Sequence, residues 1–278
     1  MKIAVFPHQA ALNSGPVLSA FLQGCQKLGI EVVENSLDAD AAVIWSVLWQ
    51  GRMRANQQVY QHYRKQNKPV FIIEVGSLKR GVLWKISLNN INRLAAWGNE
   101  KDLDFSRPAT LALDLQQFRQ IRPKTILIAA QHDKSLQWQG MPPLKTWVES
   151  TIDSIRQFTD IPIIVRPHPR CPIQTISRPN IKFERPTKLN HTYDDYDINY
   201  NHHCVISHCS GPGIQAAING TPVICHESSL AFPVSIPLAQ IENPTLPDRT
   251  EWFVKLCHTE WLLEEIAEGI PIRRLLQN

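Results

Sequence analysis

Short apolar runs alternate with longer amphipathic stretches along most of the chain, a pattern that predicts strands exchanging with helices. "KIAVF" (2–6) reads as a buried first strand, followed by the loop "PHQAALNSG" and a helix beginning near Pro16, where proline suits the first turn. "IEVVE" (30–34) and "AAVIWSVL" (41–48) predict further strands, "RANQQVYQHYRKQNK" (54–68) a helix, and "PVFIIEVG" (69–76) a strand closed by a glycine turn. Over 77–123 the rhythm is lost: "SLNNINRLAAWGN" is polar and aromatic, and "QQFRQIRPK" ends at a proline. A domain crossing is therefore expected near 115–123.

A second alternation then starts. "TILIAA" (125–130) predicts a strand, "PLKTWVESTIDSIRQFT" (143–159) an amphipathic helix, "IPIIVRPHP" (161–169) a strand ending in prolines, and "CVISH" (204–208) another strand. The helix "GIQAAING" (213–220), the strand "PVICH" (222–226) and a helical end "RTEWFVKLCHTEWLLEEIAEG" (249–269) complete the series. The expected fold class is α/β, with two doubly wound Rossmann-like domains, residues 1–120 and 121–248, and a C-terminal helical segment, 249–278. Such sheets bind ligands at the carboxyl ends of their strands, which places the expected site in a cleft between the halves.

The bulk numbers agree with this. A length of 278 residues accommodates two domains, and 43% hydrophobic with 19% charged residues is an ordinary globular composition. No apolar run approaches the ~18 residues of a membrane span. The opening "MKIAVFPHQ" breaks at Pro7 before a signal-peptide core can form, so a soluble, cytoplasmic chain is expected, in a host cytoplasm if phage-encoded. Six cysteines (Cys25, Cys171, Cys204, Cys209, Cys225, Cys257) lack the spacing of a disulfide scaffold, and reduced thiols are expected.

Net charge is only +4, but it is unevenly spread. Lys+Arg against Asp+Glu is 14 to 9 over residues 1–120 and 15 to 16 over 121–278. Residues 51–93 hold nine basic side chains (Arg52, Arg54, Arg64, Lys65, Lys68, Lys79, Arg80, Lys85, Arg93) and one acid, Glu74. That segment suits a polyanion; an ordinary solvated face explains it too.

Three loops at predicted strand ends of the second half offer donors to an anion: Gln131-His132-Asp133-Lys134-Ser135, Arg166-Pro167-His168-Pro169-Arg170, and Cys209-Ser210-Gly211-Pro212-Gly213. A helix N-terminus carries unpaired amides and about half a positive charge, and small residues let a phosphate approach the backbone. Arg166 and His168 are placed to clamp a second phosphate, Arg166 bidentately. The plainer alternative makes Ser210 a helix cap and the prolines strand terminators.

"RPHP", followed about forty residues later by "SHCSGPGIQAAINGTPV", resembles the nucleotide-binding half of GT-B glycosyltransferases, in particular the capsule-polysaccharide and glycerophosphotransferase branch. The resemblance spans roughly residues 124–235. It implies that His168, Ser210 and Gly211 contact a donor diphosphate and that Glu227 meets the donor ribose or sugar; the loop reading adds Gln131, Ser135, Arg166 and Gly213 to the expected donor site. "FIIEVGSLKRG", "SLNNINRLAAWGN" and "EWFVKLCHTEWLLEEIAEG" also look like phage and bacterial proteins loosely described as glycosyltransferases. The implied co-substrate is a nucleotide-diphosphate sugar such as a UDP-sugar, with no cofactor and no metal. At this length the acceptor half must be trimmed relative to the family.

An inverting transfer needs a base near the acceptor hydroxyl. Glu74, an acid at a strand end, and His8, after the first strand, are the two candidates. Glu74 can equally be a partner for Arg80, His8 a loop residue, and in a retaining transfer the donor phosphate can serve as base. Zinc at "NHHCVISHC" is disfavoured because alternation sends neighbouring side chains to opposite faces and no CxxC pair exists. A Cys209 nucleophile beside His208 is disfavoured on the same geometry. Trp45, Trp49 and Trp84 are free to stack on a sugar or an extruded base, although helically spaced Trp252 and Trp261 read as core anchors.

The basic first half and the phage-like resemblance point to a hydroxymethylated pyrimidine in DNA as acceptor, with Arg52, Arg80, Asn90 and Trp84 facing it. The alternatives are a transferase for surface polysaccharide or teichoic-type polymers, and a non-catalytic nucleotide-sugar or nucleic-acid binding module.

Overall fold

A computed structural model describes residues 1–189 and 196–277. In chain order the elements of the first part are β1 (Lys2–Val5), α1 (Gly15–Lys27), β2 (Glu31–Glu34), β3 (Ala41–Trp45), α2 (Asn56–Lys65), β4 (Val70–Val75), β5 (Trp84–Leu88) and α3 (Arg107–Thr110). Next come β6 (Ile126–Ala129), α4 (Leu144–Ile155), β7 (Ile163–Arg166), β8 (Ile181–Phe183), β9 (Thr187–Lys188), β10 (Tyr196–Asp197), β11 (Cys204–Ser207), α5 (Gly211–Ile218) and β12 (Val223–Cys225). The chain closes with α6 (Thr250–Cys257), β13 (Glu260–Trp261), α7 (Leu263–Ala267) and α8 (Ile270–Leu276).

Two compact units result. The first takes Met1–Leu111, Lys134–Gln137 and the residues from Val254 onward; the second takes Ala112–Asp133 and Trp138–Phe253. The division thus falls at 111/112, ahead of the expected 120/121. The last residues, expected as a separate helical segment, fold into the first unit.

The first unit is built on a six-stranded sheet in the order β13-β5-β4-β3-β1-β2. Strands β1 to β4 run parallel, while β5 and β13 are antiparallel additions. On α1, Val17, Phe21, Gly24 and Cys25 fall on one face by helical spacing and are buried. A Cβ on Gly24 would lie 2.4 Å from the Ile266 carbonyl oxygen, so glycine allows α1 and α7 to meet at backbone distance. The core between helices and sheet joins Phe21, Phe71, Trp45, Trp84 and Trp261. The predicted helix over 249–269 is broken, because "EW" leaves it to pair with β5 in the register Glu260↔Lys85 and Trp261↔Trp84.

In the second unit a five-stranded, wholly parallel sheet runs β12-β11-β6-β7-β8. Counted in order of appearance, that is the 3-2-1-4-5 arrangement of a Rossmann half, and the order reverses between β6 and β11. Strands buried on both faces are nearly all apolar here, as "ILIA" and "CVIS" are. Helix α4 buries Leu144, Val148, Ile152 and Ile155, each burial favourable by roughly 1.5–3 kcal/mol. In the first unit the order β2-β1-β3-β4 reverses between β1 and β3.

Candidate active site

Crevices at such reversals, outside the carboxyl ends of the strands, are where open α/β sheets take ligands. In the second unit the reversal is bridged by a side chain: the Cys209 N–H donates to Oε1 of buried Gln131 at 3.2 Å. Gln131 follows β6 and Cys209 follows β11, so this bond fixes the two loops on either side of the crevice.

Between Cys209 and α5 lies Ser210, the N-cap residue, with extended backbone (φ −86°, ψ 164°) and no side-chain cap bond. Its Oγ is buried and has no hydrogen-bond partner among the described residues. The capping role offered as the plainer reading of Ser210 is therefore not performed by its hydroxyl. Gly213 acts in packing: a Cβ there would lie 2.6 Å from Ser207 Oγ and 2.8 Å from Cys225 Sγ, so only glycine lets α5 lie this close to β11 and β12.

His208 is 4% exposed and stacks on His226, with ring centroids 4.4 Å apart and planes 17° from parallel. Trp138 meets it edge-on at 5.2 Å. Burial first, then the neighbouring His226, pushes its pKa down to about 4, so the ring is neutral at neutral pH. Its Nδ1 lies 3.2 Å from Cys209 Sγ, while Nε2 has no partner among the described residues. Alternation argued against this His–Cys contact, but β11 ends at Ser207 and the rule ends with it. Each strand from β12 to β7 carries a histidine just past its end: His226, His208, His132 and His168. The last two meet edge-on at 5.2 Å.

Other expected donor contacts fall differently. Arg166 is buried at the end of β7, where Nη2 pairs with Glu184 Oε1 at 2.7 Å and Nη1 donates to the Asn199 carbonyl at 2.9 Å. Two of its three nitrogens are thus engaged inside the unit, while the buried Nε has no partner among the described residues. His168 accepts the Arg170 N–H on Nδ1 at 3.1 Å. Gly211 opens α5, and Glu227 is exposed two residues past β12. Ser135 belongs to the first unit, where its Oγ accepts the Gln137 N–H at 3.0 Å.

In the first unit the strand-end rim carries both base candidates. Glu74 lies near the end of β4, and Ser46, immediately past β3, donates from Oγ to Glu74 Oε2 at 2.5 Å. Ser46 has φ +64°, a left-handed conformation that β3 cannot continue through. His8 is exposed on a short turn after β1. Asn56 Nδ2 ties that turn to the end of β3, donating to the carbonyls of Gln9 at 3.1 Å and Trp45 at 2.7 Å.

The acceptor set expected here is reduced. Trp84 is 6% exposed and packs on Trp45 at 5.6 Å, so neither offers a stacking face; Trp49 packs on Tyr60. Asn90 Oδ1 accepts from Gln137 Nε2 at 2.6 Å. Of the nine basic side chains over 51–93, Lys85 is buried against Ser77 Oγ at 2.5 Å, Lys79 donates to the Leu111 carbonyl at 2.6 Å, and Arg64 donates to the Lys68 carbonyl at 3.2 Å. Arg52, Arg54, Lys65, Arg80 and Arg93 are exposed. The segment is partly internal scaffolding rather than one continuous basic face.

No helix among the described residues is long and apolar enough to cross a membrane. No protein-family model matches the chain, and no curated protein matches it in sequence. Among solved structures, Thermosulfurimonas dismutans KpsC, beta Kdo 2,4 transferase, is 15% identical, with a TM-score of 0.55 over 92% of this chain and 89% of that one. The beta Kdo 2,7 transferase of the same organism's KpsC is 14% identical, at a TM-score of 0.49 over 98% of this chain and 100% of that one. A more distant likeness is to Methanocaldococcus jannaschii UDP-GlcNAc 2-epimerase, at 13% identity and a TM-score of 0.33 over the whole of both chains. In fold, the chain resembles a GT-B glycosyltransferase of the capsule-polysaccharide branch.

Proposed function

We propose that the chain is a glycosyltransferase that takes its sugar from a nucleotide-activated donor and adds it to a surface polysaccharide of the capsule type. The observation that carries this reading is the crevice at the β6/β11 reversal, where Ser210 Oγ and His208 Nε2 stand without partners beside the N-terminus of α5. Its setting, a fold like that of a capsule beta Kdo transferase over most of both chains, supports the reaction class. An anionic donor group would meet the α5 amides and the Ser210 hydroxyl, an attraction of about 0.3–2 kcal/mol from the helix terminus alone. Neutral His208 can donate or accept a hydrogen bond there without adding charge.

On the first unit, Glu74 is the candidate base, already oriented by Ser46, with His8 as the second candidate. A glycan acceptor is favoured over DNA, because buried Trp84 and the internally bonded Lys79 and Lys85 remove much of what a DNA acceptor would use.

The deciding experiment measures nucleotide release by the purified chain from a panel of nucleotide-activated sugars, Kdo among them. Each is tested with capsule-type oligosaccharides or with hydroxymethylated DNA. Release stimulated by a glycan, with donor KM raised in Ser210→Ala, is expected. Stimulation by the DNA alone would return the acceptor to DNA. Donor binding without turnover would make the chain a binding module, and neither binding nor turnover would overturn the proposal.

A further inference from the structure

His132, Asp133 and Cys171 converge although 38 residues separate the last two in sequence. Cys171 is brought back by the tight turn after β7, in which its N–H donates to the His168 carbonyl at 2.9 Å. Its Sγ lies 3.4 Å from Asp133 Oδ1, and the same oxygen lies 3.7 Å from His132 Nδ1. One ligand atom from each residue falls within 4.8 Å of the other two. With zinc bonds of about 2.0 Å to nitrogen or oxygen and 2.3 Å to sulfur, a tetrahedral site requires edges of about 3.5 Å between oxygen and sulfur and about 3.3 Å between nitrogen and oxygen. The sulfur–oxygen and nitrogen–oxygen edges are already near those lengths, and the nitrogen–sulfur edge lies within 4.8 Å.

We propose that His132, Asp133 and Cys171 form a binding site for a zinc-class divalent cation. The ligand set selects the metal: one imidazole, one carboxylate and one thiolate suit a borderline ion such as Zn2+ and do not suit Mg2+ or Ca2+, which take oxygen. Three protein ligands leave the fourth tetrahedral position to water or to an oxygen of a bound molecule. His132 is buried and its ring is backed edge-on by His168 at 5.2 Å, which limits its rotation. Gln131, the residue before His132, holds the Cys209 N–H, so the cation site adjoins the β6/β11 crevice within the second unit. The inference departs from the metal-free expectation and does not depend on the proposed reaction.

The test uses the full chain stripped with a chelator and titrated with Co2+, then with Zn2+ in competition. Expected are a near-ultraviolet thiolate-to-cobalt charge-transfer band and strong visible d–d bands, saturating at one ion per chain and displaced by Zn2+. Cys171→Ser abolishes the charge-transfer band, and His132→Ala raises the zinc dissociation constant by at least about tenfold, since even losing a group behind a ligand has that effect. Circular dichroism of each variant separates ligand loss from misfolding. Cys209→Ser leaves the band intact; a band lost there and kept in Cys171→Ser would overturn the assignment, as would a chain that takes up no cobalt.

Discussion

Ser46 donates its hydroxyl to Glu74 Oε2 at 2.5 Å from a left-handed backbone of φ +64°. A non-glycine residue in that region carries strain, so strand end and carboxylate are held together at some conformational expense. If Glu74 is the base, Glu74→Gln lowers kcat by about 10²–10⁴-fold with donor affinity kept. Ser46→Gly relieves the backbone and removes the hydrogen bond. Its expected signature is unchanged or raised stability with a lowered kcat, because the carboxylate loses the hydroxyl that orients it. A Ser46→Gly enzyme with an unchanged kcat would separate the pair from catalysis.

Gly213→Ala places a methyl group against Ser207 Oγ and Cys225 Sγ. Overpacking of this kind destabilises by about 1–3 kcal/mol, read from the midpoint of denaturant unfolding. Adding Ser207→Ala removes the nearer of the two contacts and restores part of the loss. Full additivity of the two changes would show that α5 had shifted away instead.

His208 titrates far below an ordinary histidine because it is buried beside His226. Between the unfolded value near 6.5 and about 4, the unfolded chain binds the proton and the folded chain does not, so stability falls as pH drops through that window. The lost stability is of the order of 3 kcal/mol for a shift of this size. His202 and His258, lowered first by burial, act in the same direction, whereas buried Glu260, raised by burial, opposes them. Comparing wild type with His208→Phe isolates one contribution: the variant should lose less stability between pH 7 and 4, and equal losses would reject the assignment.

Arg166 pairs with Glu184 at 2.7 Å and donates to the Asn199 carbonyl. Because the Glu184 side chain is half exposed, Arg166→Ala should destabilise by only about 1–2 kcal/mol, below the range for fully buried pairs. Donor KM is expected to change little. A large rise in KM at unchanged stability would mean that Arg166 leaves Glu184 to hold the donor.

How much of this was legible in sequence depended on how local the signal was. The alternating runs "KIAVF", "PVFIIEVG", "TILIAA" and "CVISH" sit on strands because an apolar run between turn residues needs no distant information. The entry to α5 was legible as well, since Ser-Gly-Pro-Gly between a strand and a helix has few other uses. Strand β5 was missed because its outer neighbours, "SLKRG" and "NNINR", resemble loop, and its partner on one side lies 176 positions onward in a two-residue strand. Trp84 misled for the same reason: its burial comes from Trp45 and Trp261, which no local window contains. The His132, Asp133 and Cys171 cluster has no motif spacing and exists only because β6 and β7 are neighbours.

Strand β13 also sets a schedule for folding during synthesis. Buried Glu260 receives the N–H groups of Ser77 and Leu78 at 2.6 and 2.9 Å, and Arg107 donates to the Cys257 and Glu260 carbonyls at 2.6 and 2.8 Å. About 140 residues separate Leu111 from Val254, where the last and longer return of the chain to the first unit begins after the brief one at Lys134–Gln137. At ribosomal speed that is a wait of roughly 7 to 30 s. During that interval β5 is an open edge and Arg107 lacks its acceptors, so the first unit completes its sheet only after every strand of the second unit's sheet has been made.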